Sequence, residues 1–441
     1  MAKSTRLMLC VLFAVAVTVR LAFVCTVLRH PVYNPYTHLN GDMQTFVALG
    51  VSLAQGEGFS GHYATVLDEF LAHPDTVRPE SPPTPTAKKA PGYPLFLALV
   101  FRIFGYDLEP VLFIQAILDA FSVLLVYGVG AQVGGRRTGL IAAVVSTIYY
   151  PYWFWAGFCL AETLLVFLTL LSFFCLHRWL GRPSWWTGLC AGLSAGFTIL
   201  TKALLLPLIP FYLVGGWITQ RRVWPLKVRG QGSVGVVVGL LLVLAPWMVR
   251  NYRHSGIPLL TPTYVGAHLL VGNNPAYVGA NPQGFVNWNE GMTAIFHEAR
   301  LHLPPSTRPI LAEYLQDQAY RRTAWRYVTS HPYRTLALIP RKLHDTWRLD
   351  TLTANTFRTL SNLFCYGALI PFVFYGVWIA LKRHQLSALP LASYLLYYVM
   401  VHAVLVGDIR YQLIAMPAIF LLGGFGLHEV WSRLPTRRPA V

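Results

Sequence analysis

The recurrence of long apolar runs is the feature that most constrains this chain. A helix needs roughly 20 apolar residues to cross about 30 Å of bilayer hydrocarbon, and ten runs are near that length. They cover residues 7–28, 110–132, 138–156, 160–179, 185–201, 203–219, 233–250, 360–381, 388–406 and 410–431. Hydrophobic residues make up 55% of the sequence and charged residues 12%, whereas soluble domains have about 45–50% and 25%. The sequence therefore predicts an all-α polytopic membrane protein.

A shorter apolar segment, residues 94–106, decides the topology. As a helix of about 13 residues it would reach only about 20 Å, so we interpret it as an interfacial or re-entrant helix rather than a span. With ten spans, the short inner loops contain basic residues and no acidic ones, as expected for cytoplasmic loops. These basic residues are Lys3, Arg6, Arg136, Arg137, Arg178, Arg182, Arg221, Arg222, Lys227, Arg229, Lys382, Arg383, Arg433, Arg437 and Arg438. Both termini are thus predicted to be cytoplasmic.

Two long segments lie outside the membrane in this topology. We divide the chain into an N-terminal transmembrane module, residues 1–250, which includes the first outer loop 29–109; an extracytoplasmic segment, 251–359; and C-terminal transmembrane helices, 360–441. Within the second segment, basic and aromatic residues alternate from Tyr320 to Trp347, a pattern typical of helices on a membrane surface. Sixteen of the 18 Asp and Glu residues lie outside or at the outer boundary. Candidate acids and bases therefore face outward.

The excess of basic over acidic residues does not indicate a nucleic-acid partner. The net charge of +17 is divided between the two membrane faces, and on the inner face it follows from the basic character of cytoplasmic loops. The sequence has no Walker loop and no convincing dinucleotide fingerprint, so no nucleotide cofactor is expected. The six cysteines lie in or beside apolar runs without metal-type spacing, and we expect them to be unpaired.

Asp42 is the first candidate for chemistry. It follows Asn40 and Gly41 just after the first span and precedes a helical stretch. One interpretation is a helix N-cap, in which the carboxylate accepts hydrogen bonds from the first-turn amides. The other is a general base near the membrane surface.

A second candidate is the turn before the short apolar helix. Lys88 and Lys89 precede Ala90-Pro91-Gly92, and Tyr93 follows. Lysines supply compact charges, glycine permits close approach of the backbone, and a helix start offers free amides, so the turn suits a lipid phosphate. Snorkelling of the lysines at the headgroups is the alternative.

Further polar residues lie at the outer ends of other spans. Glu162 interrupts an apolar stretch, and an ionisable residue at that depth usually faces the protein interior or a wet cavity. A structural ion pair is the alternative for Glu162. The other polar residues at this level are Lys202, Arg250, Asn251, Asp408, Arg410 and Tyr411. Snorkelling accounts for each cation separately, but it does not account for Asp42, Glu162 and Asp408 at the same level.

In this order, the segments resemble the GT-C superfamily of membrane glycosyltransferases, related to protein O-mannosyltransferases and the lipid A aminoarabinose transferase. The motifs that carry the resemblance are Gly41-Asp42, Ala90-Pro91-Gly92-Tyr93-Pro94, Glu162, Thr201-Lys202, Pro246-Trp247-Met248-Val249-Arg250-Asn251, Gly272-Asn273-Asn274-Pro275 and Arg410-Tyr411. The resemblance implies a sugar donor on a polyprenyl phosphate, bound from the outer leaflet of a bacterial inner membrane. The acceptor would be an extracytoplasmic lipid, glycan or protein.

The resemblance also implies roles for particular residues. Asp42 matches the catalytic acidic residue, which would deprotonate the acceptor hydroxyl in an inverting transfer. Glu162 matches a second acidic position that orients substrate or, with Asp42, could help to hold a divalent metal ion. Positions that engage the leaving phosphate are matched by Lys89, Tyr93, Lys202 and Arg410. The family often has Arg where this chain has Lys88 and Lys89, which leaves open which lysine contacts phosphate.

Two other functions fit parts of the pattern. A transporter or flippase of lipid-linked saccharide would use the same charges to line a path, but such proteins tend to have internal repeats and mid-membrane polar residues. Here no repeat is visible, and only Arg20 and Asp119 lie well within spans. A purely structural membrane scaffold is the other function, but it would not explain why an ionisable residue, Glu162, lies in an apolar stretch.

Overall fold

The computed structural model describes residues 3–30, 41–221, 223–280, 286–301, 303–304, 306–349 and 356–433. Within these ranges the regular structure is helical, and the β interactions are limited to isolated bridges, Ser60 with Pro85 and Ala280 with Val286. The α-helices are α1 (Lys3–Arg29), α2 (Gly41–Gln55), α3 (Leu67–Ala72), α4 (Gly92–Phe104), α5 (Glu109–Gly134), α6 (Arg136–Ile148), α7 (Tyr150–Ala156), α8 (Glu162–Gly181), α9 (Trp185–Thr201), α10 (Ile209–Gln220), α11 (Leu226–Ser255), α12 (Val265–Gly272), α13 (Glu290–Glu298), α14 (Pro309–Ser330), α15 (Pro332–Trp347), α16 (Thr356–Cys365), α17 (Ile370–Lys382), α18 (Leu389–Val404) and α19 (Gln412–Arg433).

The prediction of an all-α polytopic membrane protein is confirmed. Six helical stretches in the described residues are long and apolar enough to cross a bilayer: Lys3–Arg29, Glu109–Gly134, Glu162–Gly181, Leu226–Ser255, Thr356–Lys382 and Gln412–Arg433. The other predicted spans are also helical but shorter or interrupted. All six cysteines are free, as expected. Asn40, Arg222, Arg437 and Arg438 lie outside the described residues.

Prolines lie at the interruptions of two predicted spans, Pro151 in one and Pro207 in the other. Residues 138–156 form α6 and α7 with a break at Tyr149, whose backbone is extended, and Pro151 stands in the first turn of α7. Residues 203–219 begin with a 3₁₀ segment, Ala203–Leu208, before α10. Proline lacks an amide hydrogen and therefore suits the first turn of a helix but not its interior.

Helix α4 is the short apolar helix predicted over 94–106. It has 13 residues, Gly92–Phe104. Its outer face carries Leu95, Leu99 and Ile103, which are exposed at helical spacing, while Leu97 and Phe101 pack inside. A short helix with one exposed apolar face is suited to the edge of a bilayer.

Helices α9 and α11 pack closely along glycines. A Cβ atom added to Gly188 would lie 2.0 Å from the Gly232 oxygen, and one added to Gly192 would lie 2.1 Å from the Val236 oxygen. Small residues at such spacing allow helix backbones to approach in membranes. The residue numbers at the contacts rise together on the two helices, from Gly188 with Gly232 to Gly192 with Val236, so α9 and α11 run parallel. The C-terminal ends of α9 and α11 therefore point in the same direction.

Arg20 and Asp119, the charged residues predicted to lie well within spans, form a buried ion pair. Arg20 Nε lies 2.5 Å from Asp119 Oδ2, and the side chains are 0% and 3% exposed. The guanidinium also donates hydrogen bonds to the carbonyl oxygens of Ser146 and Thr147. A buried charge must be paired and hydrogen-bonded, and here this joins α1, α5 and α6.

The second long segment folds as helices that pack against the ends of the spans. The alternating basic and aromatic run from Tyr320 to Trp347 lies on α14 and α15, with Trp325, Tyr333 and Leu336 exposed. Helix α12 packs on α14, where the Gly266 amide donates a hydrogen bond to Asp317. These contacts bring α12 to the mouth of a cavity between the helix ends.

Candidate active site

One cavity collects most of the side chains singled out from the sequence. Its volume is about 670 Å³. The cavity lies between α2, the turn before α4, the start of α8, the α9 terminus, α12 and the segment between α18 and α19. The predicted site residues that line it are Asp42, Lys88, Lys89, Glu162, Lys202, Arg410 and Tyr411. Segments from across the sequence thus deliver two carboxylates and several cations to a single space.

A larger cavity, of about 1300 Å³, lies between α10, α17 and α18. Its walls are mainly apolar, and Phe211, Phe374 and Trp378 on its lining are exposed on the outside of the bundle. The residues predicted to act in chemistry do not line it. The smaller cavity is therefore the candidate active site.

Asp42 is held by two cations in this cavity. Its Oδ1 lies 2.6 Å from Lys89 Nζ, and its Oδ2 lies 3.2 Å from Arg410 Nη1. The Asp42 side chain is 39% exposed, while Lys89 and Arg410 are 19% and 18% exposed. Helix α2 begins at Gly41 and includes Asp42 in its first turn. The N-cap interpretation of Asp42 is therefore wrong, because the helix starts one residue earlier and the carboxylate points to the two cations.

The ion pairs dominate the electrostatics of Asp42. Burial by itself would raise the pKa of the carboxyl group, but the positive charges of Lys89 and Arg410 outweigh it and hold that pKa well below its usual range. For Arg410, burial lowers the guanidinium pKa, while Asp408, Glu162 and Asp42 raise it further, so the net shift is upward. Asp42 is consequently an ionised carboxylate with both oxygens occupied.

Close packing of the turn before α4 places the lysines. A Cβ atom added to Gly92 would lie 2.4 Å from Thr201 Oγ1 and 2.7 Å from the Thr201 amide nitrogen, so only glycine fits this contact. Thr201 ends α9, and Lys202 follows in an extended conformation. The ammonium group of Lys202 stands 4.3 Å from the centre of the Tyr411 ring, a cation–π contact. Gly92 thereby brings Lys89 and Lys202 to the same cavity.

Glu162 lies at the start of α8. The residue is only 8% exposed, yet it is among those that line the cavity. The first turn of a helix is the end whose dipole favours a carboxylate. Glu162 also borders a small space that is lined by Asp119 and Tyr152.

Three predicted substrate-binding residues do not line this cavity. Tyr93 is fully buried and donates its hydroxyl hydrogen to Gln115 Oε1 at 2.7 Å. Arg250 donates to the carbonyl oxygens of Thr86 and Phe59 at 2.8 and 3.0 Å. Asn251 is buried, and its amide donates to the Leu259 carbonyl oxygen at 2.8 Å. The packing of α4 and α11 directs these side chains away from the cavity. Tyr93 joins α4 to α5, whereas Arg250 and Asn251 hold loop segments.

Two cavity residues were missed in the sequence. Tyr264 and His268 stand four residues apart, at the start of α12 and within it, and line the cavity. The ammonium group of Lys89 lies 5.1 Å from the Tyr264 ring centre. Burial, followed by the charges of Lys202 and Lys89, lowers the pKa of His268 to about 4, so its imidazole is neutral near pH 7. Their i, i+4 spacing on a short helix was the signal that could have identified them.

Glu313 on α14 is a third residue that the sequence did not reveal. Its Oε1 accepts a hydrogen bond from Thr86 Oγ1 at 2.6 Å, and its Oε2 accepts from the Ala87 amide at 2.8 Å and from Thr263 Oγ1 at 3.1 Å. The hydrogen bonds from Thr86 and Ala87 fix the chain just before Lys88. The hydrogen bond from Thr263 fixes it just before Tyr264. One carboxylate thus aligns two walls of the cavity.

Comparisons with known proteins agree with this architecture. A family model described as dolichyl-phosphate-mannose-protein mannosyltransferase matches residues 88–249. The archaeal oligosaccharyltransferase AglB from Archaeoglobus fulgidus, solved with an inhibitory peptide and a dolichol-phosphate, is similar over 98% of this chain with 13% identity and a TM-score of 0.55. The chain shares the fold of this oligosaccharyltransferase. A comparison with curated proteins gave no significant match.

The similarity to AglB concerns the fold and only part of the AglB chain. This chain spans about half of the AglB chain, 50%. ArnT from Cupriavidus metallidurans, solved with undecaprenyl phosphate, is similar over 95% of this chain and 78% of its own, with 14% identity and a TM-score of 0.41. The stretch that matches the family model includes Lys88, Lys89, Glu162 and Lys202, whereas Asp42 and Arg410 lie outside it.

The cavity has a poor donor set for a metal ion. In the described residues no group of three or more His, Cys, Asp or Glu side chains is placed to hold one. The two residues named for that role, Asp42 and Glu162, face a cavity rich in cations, and both oxygens of Asp42 are already engaged by Lys89 and Arg410. A divalent ion would have to displace these cations, so the proposed reaction assigns no step to a metal.

Proposed function

We propose that this protein is an inverting glycosyltransferase that moves a sugar from a polyprenyl-phosphate donor to an extracytoplasmic acceptor. The observation that carries the proposal is the meeting of Asp42 with Lys89, Lys202 and Arg410 in one cavity. A phosphate leaving group needs fixed positive charge, and a hydroxyl nucleophile needs a base within about 3 Å. The acceptor class, whether lipid, glycan or protein, follows from the resemblance and stays a proposal.

The lining of the cavity also suits a lipid-linked donor. Apolar residues of the 3₁₀ segment and α18 form part of its wall, including Leu206, Pro207 and Met400. A polyprenyl chain is apolar and would lie against this wall while its phosphate meets the cations. The donor would enter from the outer leaflet of a bacterial inner membrane, and both termini would be cytoplasmic.

The proposed reaction is a single displacement at the anomeric carbon. The acceptor oxygen forms a bond to that carbon while the bond from carbon to the phosphate oxygen breaks, which inverts the configuration. The hydroxyl proton passes to the carboxylate of Asp42. The electron pair of the broken bond leaves with the polyprenyl phosphate, whose charge Lys89, Lys202 and Arg410 stabilise. Glu162, on the same cavity, would orient the sugar by accepting hydrogen bonds from its hydroxyl groups.

A substitution that keeps the shape of Asp42 tests this function. Envelope glycolipids, glycans and glycoproteins are compared by mass spectrometry in cells that carry wild-type, Asp42→Asn or Glu290→Gln protein, or that lack the gene. Loss of one sugar in the deletion names donor and acceptor, and Asp42→Asn should fail to restore it. Glu290 is an exposed carboxylate at the start of α13, so its substitution should restore it fully. Full restoration by Asp42→Asn would contradict the proposal.

Purified protein in vesicles separates transfer from transport. A glycosyltransferase releases polyprenyl phosphate as sugar leaves the donor. A flippase would instead move intact lipid-linked saccharide across the bilayer without cleaving the glycosidic bond. Movement without cleavage would therefore favour the alternative function.

A further inference from the structure

Asp42, the proposed base, forms ion pairs with Lys89 and Arg410, two of the cations proposed to bind the phosphate. Lys89 and Arg410, which are far apart in the chain, each bind a different oxygen of Asp42, at 2.6 and 3.2 Å. Charge-assisted hydrogen bonds of this kind stabilise the ionised form of a carboxylate. In this arrangement Asp42 is a weak base, and two of the three phosphate-binding cations are already in use.

We propose that the phosphate of the donor and Asp42 compete for Lys89 and Arg410, so that donor binding itself releases the base. This inference rests on the proposed function and adds an order of binding to it. The donor phosphate takes the two cations, Asp42 loses the charges that stabilise its ionised form, and the carboxylate becomes able to accept a proton. An acceptor that enters before the donor meets a base that is not yet active.

Lys202 provides the place where the phosphate would bind first. Among the described side chains, no carboxylate oxygen lies within ion-pair distance of its ammonium group, which instead stands 4.3 Å from the Tyr411 ring centre. Tyr411 is the neighbour of Arg410 in the chain. A phosphate on Lys202 is therefore next to one of the two cations that it must take from Asp42.

Lys89 has an alternative contact that lowers the cost of leaving Asp42. Its ammonium group lies 5.1 Å from the Tyr264 ring centre and 5.4 Å from that of Phe46. Cations are stabilised over aromatic faces within about 6 Å. The side chain can thus turn toward a phosphate while it keeps these two ring contacts.

A fixed arrangement makes the opposite prediction about affinity. If Asp42 served to orient Lys89 and Arg410 toward the phosphate, its removal would loosen them and weaken phosphate binding. If Asp42 competes with the phosphate, its removal frees both cations and strengthens binding. The sign of the change in phosphate-lipid affinity therefore decides between the two.

The experiment measures binding of polyprenyl phosphate, without sugar, to the purified full chain in nanodiscs. We expect Asp42→Asn to bind it at least about threefold more tightly than wild type, which is an ordinary change for one competing charge. Asp42→Ser is a second variant in case Asn disturbs folding, and it should give the same sign. Glu290→Gln should leave the affinity unchanged, and Lys202→Met should weaken it.

Three results of this binding experiment would overturn different claims. Unchanged or weaker binding by both Asp42 variants would overturn the competition while leaving the proposed function intact. If wild-type protein binds no polyprenyl phosphate, the proposed function fails, and the inference with it. Competition by inorganic phosphate separates the sources: weak competition supports a lipid-linked ligand, whereas equal affinity for the free ion would overturn the lipid donor.

Discussion

The carboxylate of Glu313 accepts a hydrogen bond of 2.6 Å from the hydroxyl group of Thr86, although 227 positions separate the two residues. Through this contact α14 fixes the loop that carries Lys88 and Lys89. Glu313 touches none of the proposed reacting groups, so it is a positioning residue.

Replacing Glu313 with Gln should weaken phosphate binding without unfolding the protein. Gln keeps the shape but presents an NH₂ group to one of the donors that Glu313 now satisfies. A lost hydrogen bond to a charged group costs about 1.5–3 kcal/mol, so we expect roughly tenfold lower transfer and a raised Kd for polyprenyl phosphate. Glu298→Gln, at an exposed position of α13, is the control. Normal phosphate affinity in Glu313→Gln would show that the hydrogen bonds of Glu313 do not position Lys89.

Substitution of each lysine before α4 should separate their roles. Lys89 pairs with Asp42 and is largely buried, whereas Lys88 is exposed at the rim of the cavity. We expect Lys89→Met to reduce transfer by about a hundredfold or more, a loss typical of a group that stabilises transition-state charge. Lys88→Met should reduce it by less than about tenfold. Initial rates under matched donor concentrations test this, and equal losses would contradict the assignment of Lys89.

Acidification should destabilise the protein partly through His268. Its pKa is about 4 in the folded protein, against 6.5 for a histidine free of burial and neighbouring charge. Between these values the unfolded chain binds more protons, so stability falls as the pH falls from about 6.5 to about 4. The charged groups around it are Lys202, Lys89, Asp42 and Arg410.

The His268→Gln variant should therefore lose part of that pH dependence. Melting temperatures in detergent between pH 4 and pH 7.5 measure it, and His297→Gln, at an exposed position of α13, is the control. An unchanged slope in His268→Gln would mean that the acid sensitivity arises elsewhere.

The buried Arg20–Asp119 pair should behave as a unit in stability. Asp119→Leu leaves the Arg20 guanidinium buried without its partner, and breaking a buried pair costs about 3–5 kcal/mol. Replacing both residues, as Arg20→Met with Asp119→Leu, removes both charges and should recover most of the loss. Unfolding of the wild type, Arg20→Met, Asp119→Leu and the double variant in mixed micelles forms a double-mutant cycle. Additive losses would indicate that the two charges are not coupled.

The helices and their order follow from the sequence because hydropathy along one chain determines which segments leave water. The ten apolar runs are helical, some of them with interruptions. Helix α4 was recognised as too short to span because a helix has a fixed rise per residue. The same reasoning identified Asp42, Glu162, Lys202 and Arg410, since charged groups at membrane depth are rare and need a reason.

Only the tertiary structure decided which of those side chains meet. Tyr93 and Arg250 are a tyrosine and an arginine, as are two residues of the cavity. Helix packing nevertheless directs Tyr93 to Gln115 and Arg250 to the loop before α4. Glu313 is one acidic residue among several between the apolar runs until the fold brings it to Thr86. Sequence patterns record depth and periodicity, whereas side-chain direction depends on close contacts such as that of Gly92 with Thr201, which form between distant segments. The pairing of Asp42 with both Lys89 and Arg410 arises in the same way, from three segments that meet only in the folded chain.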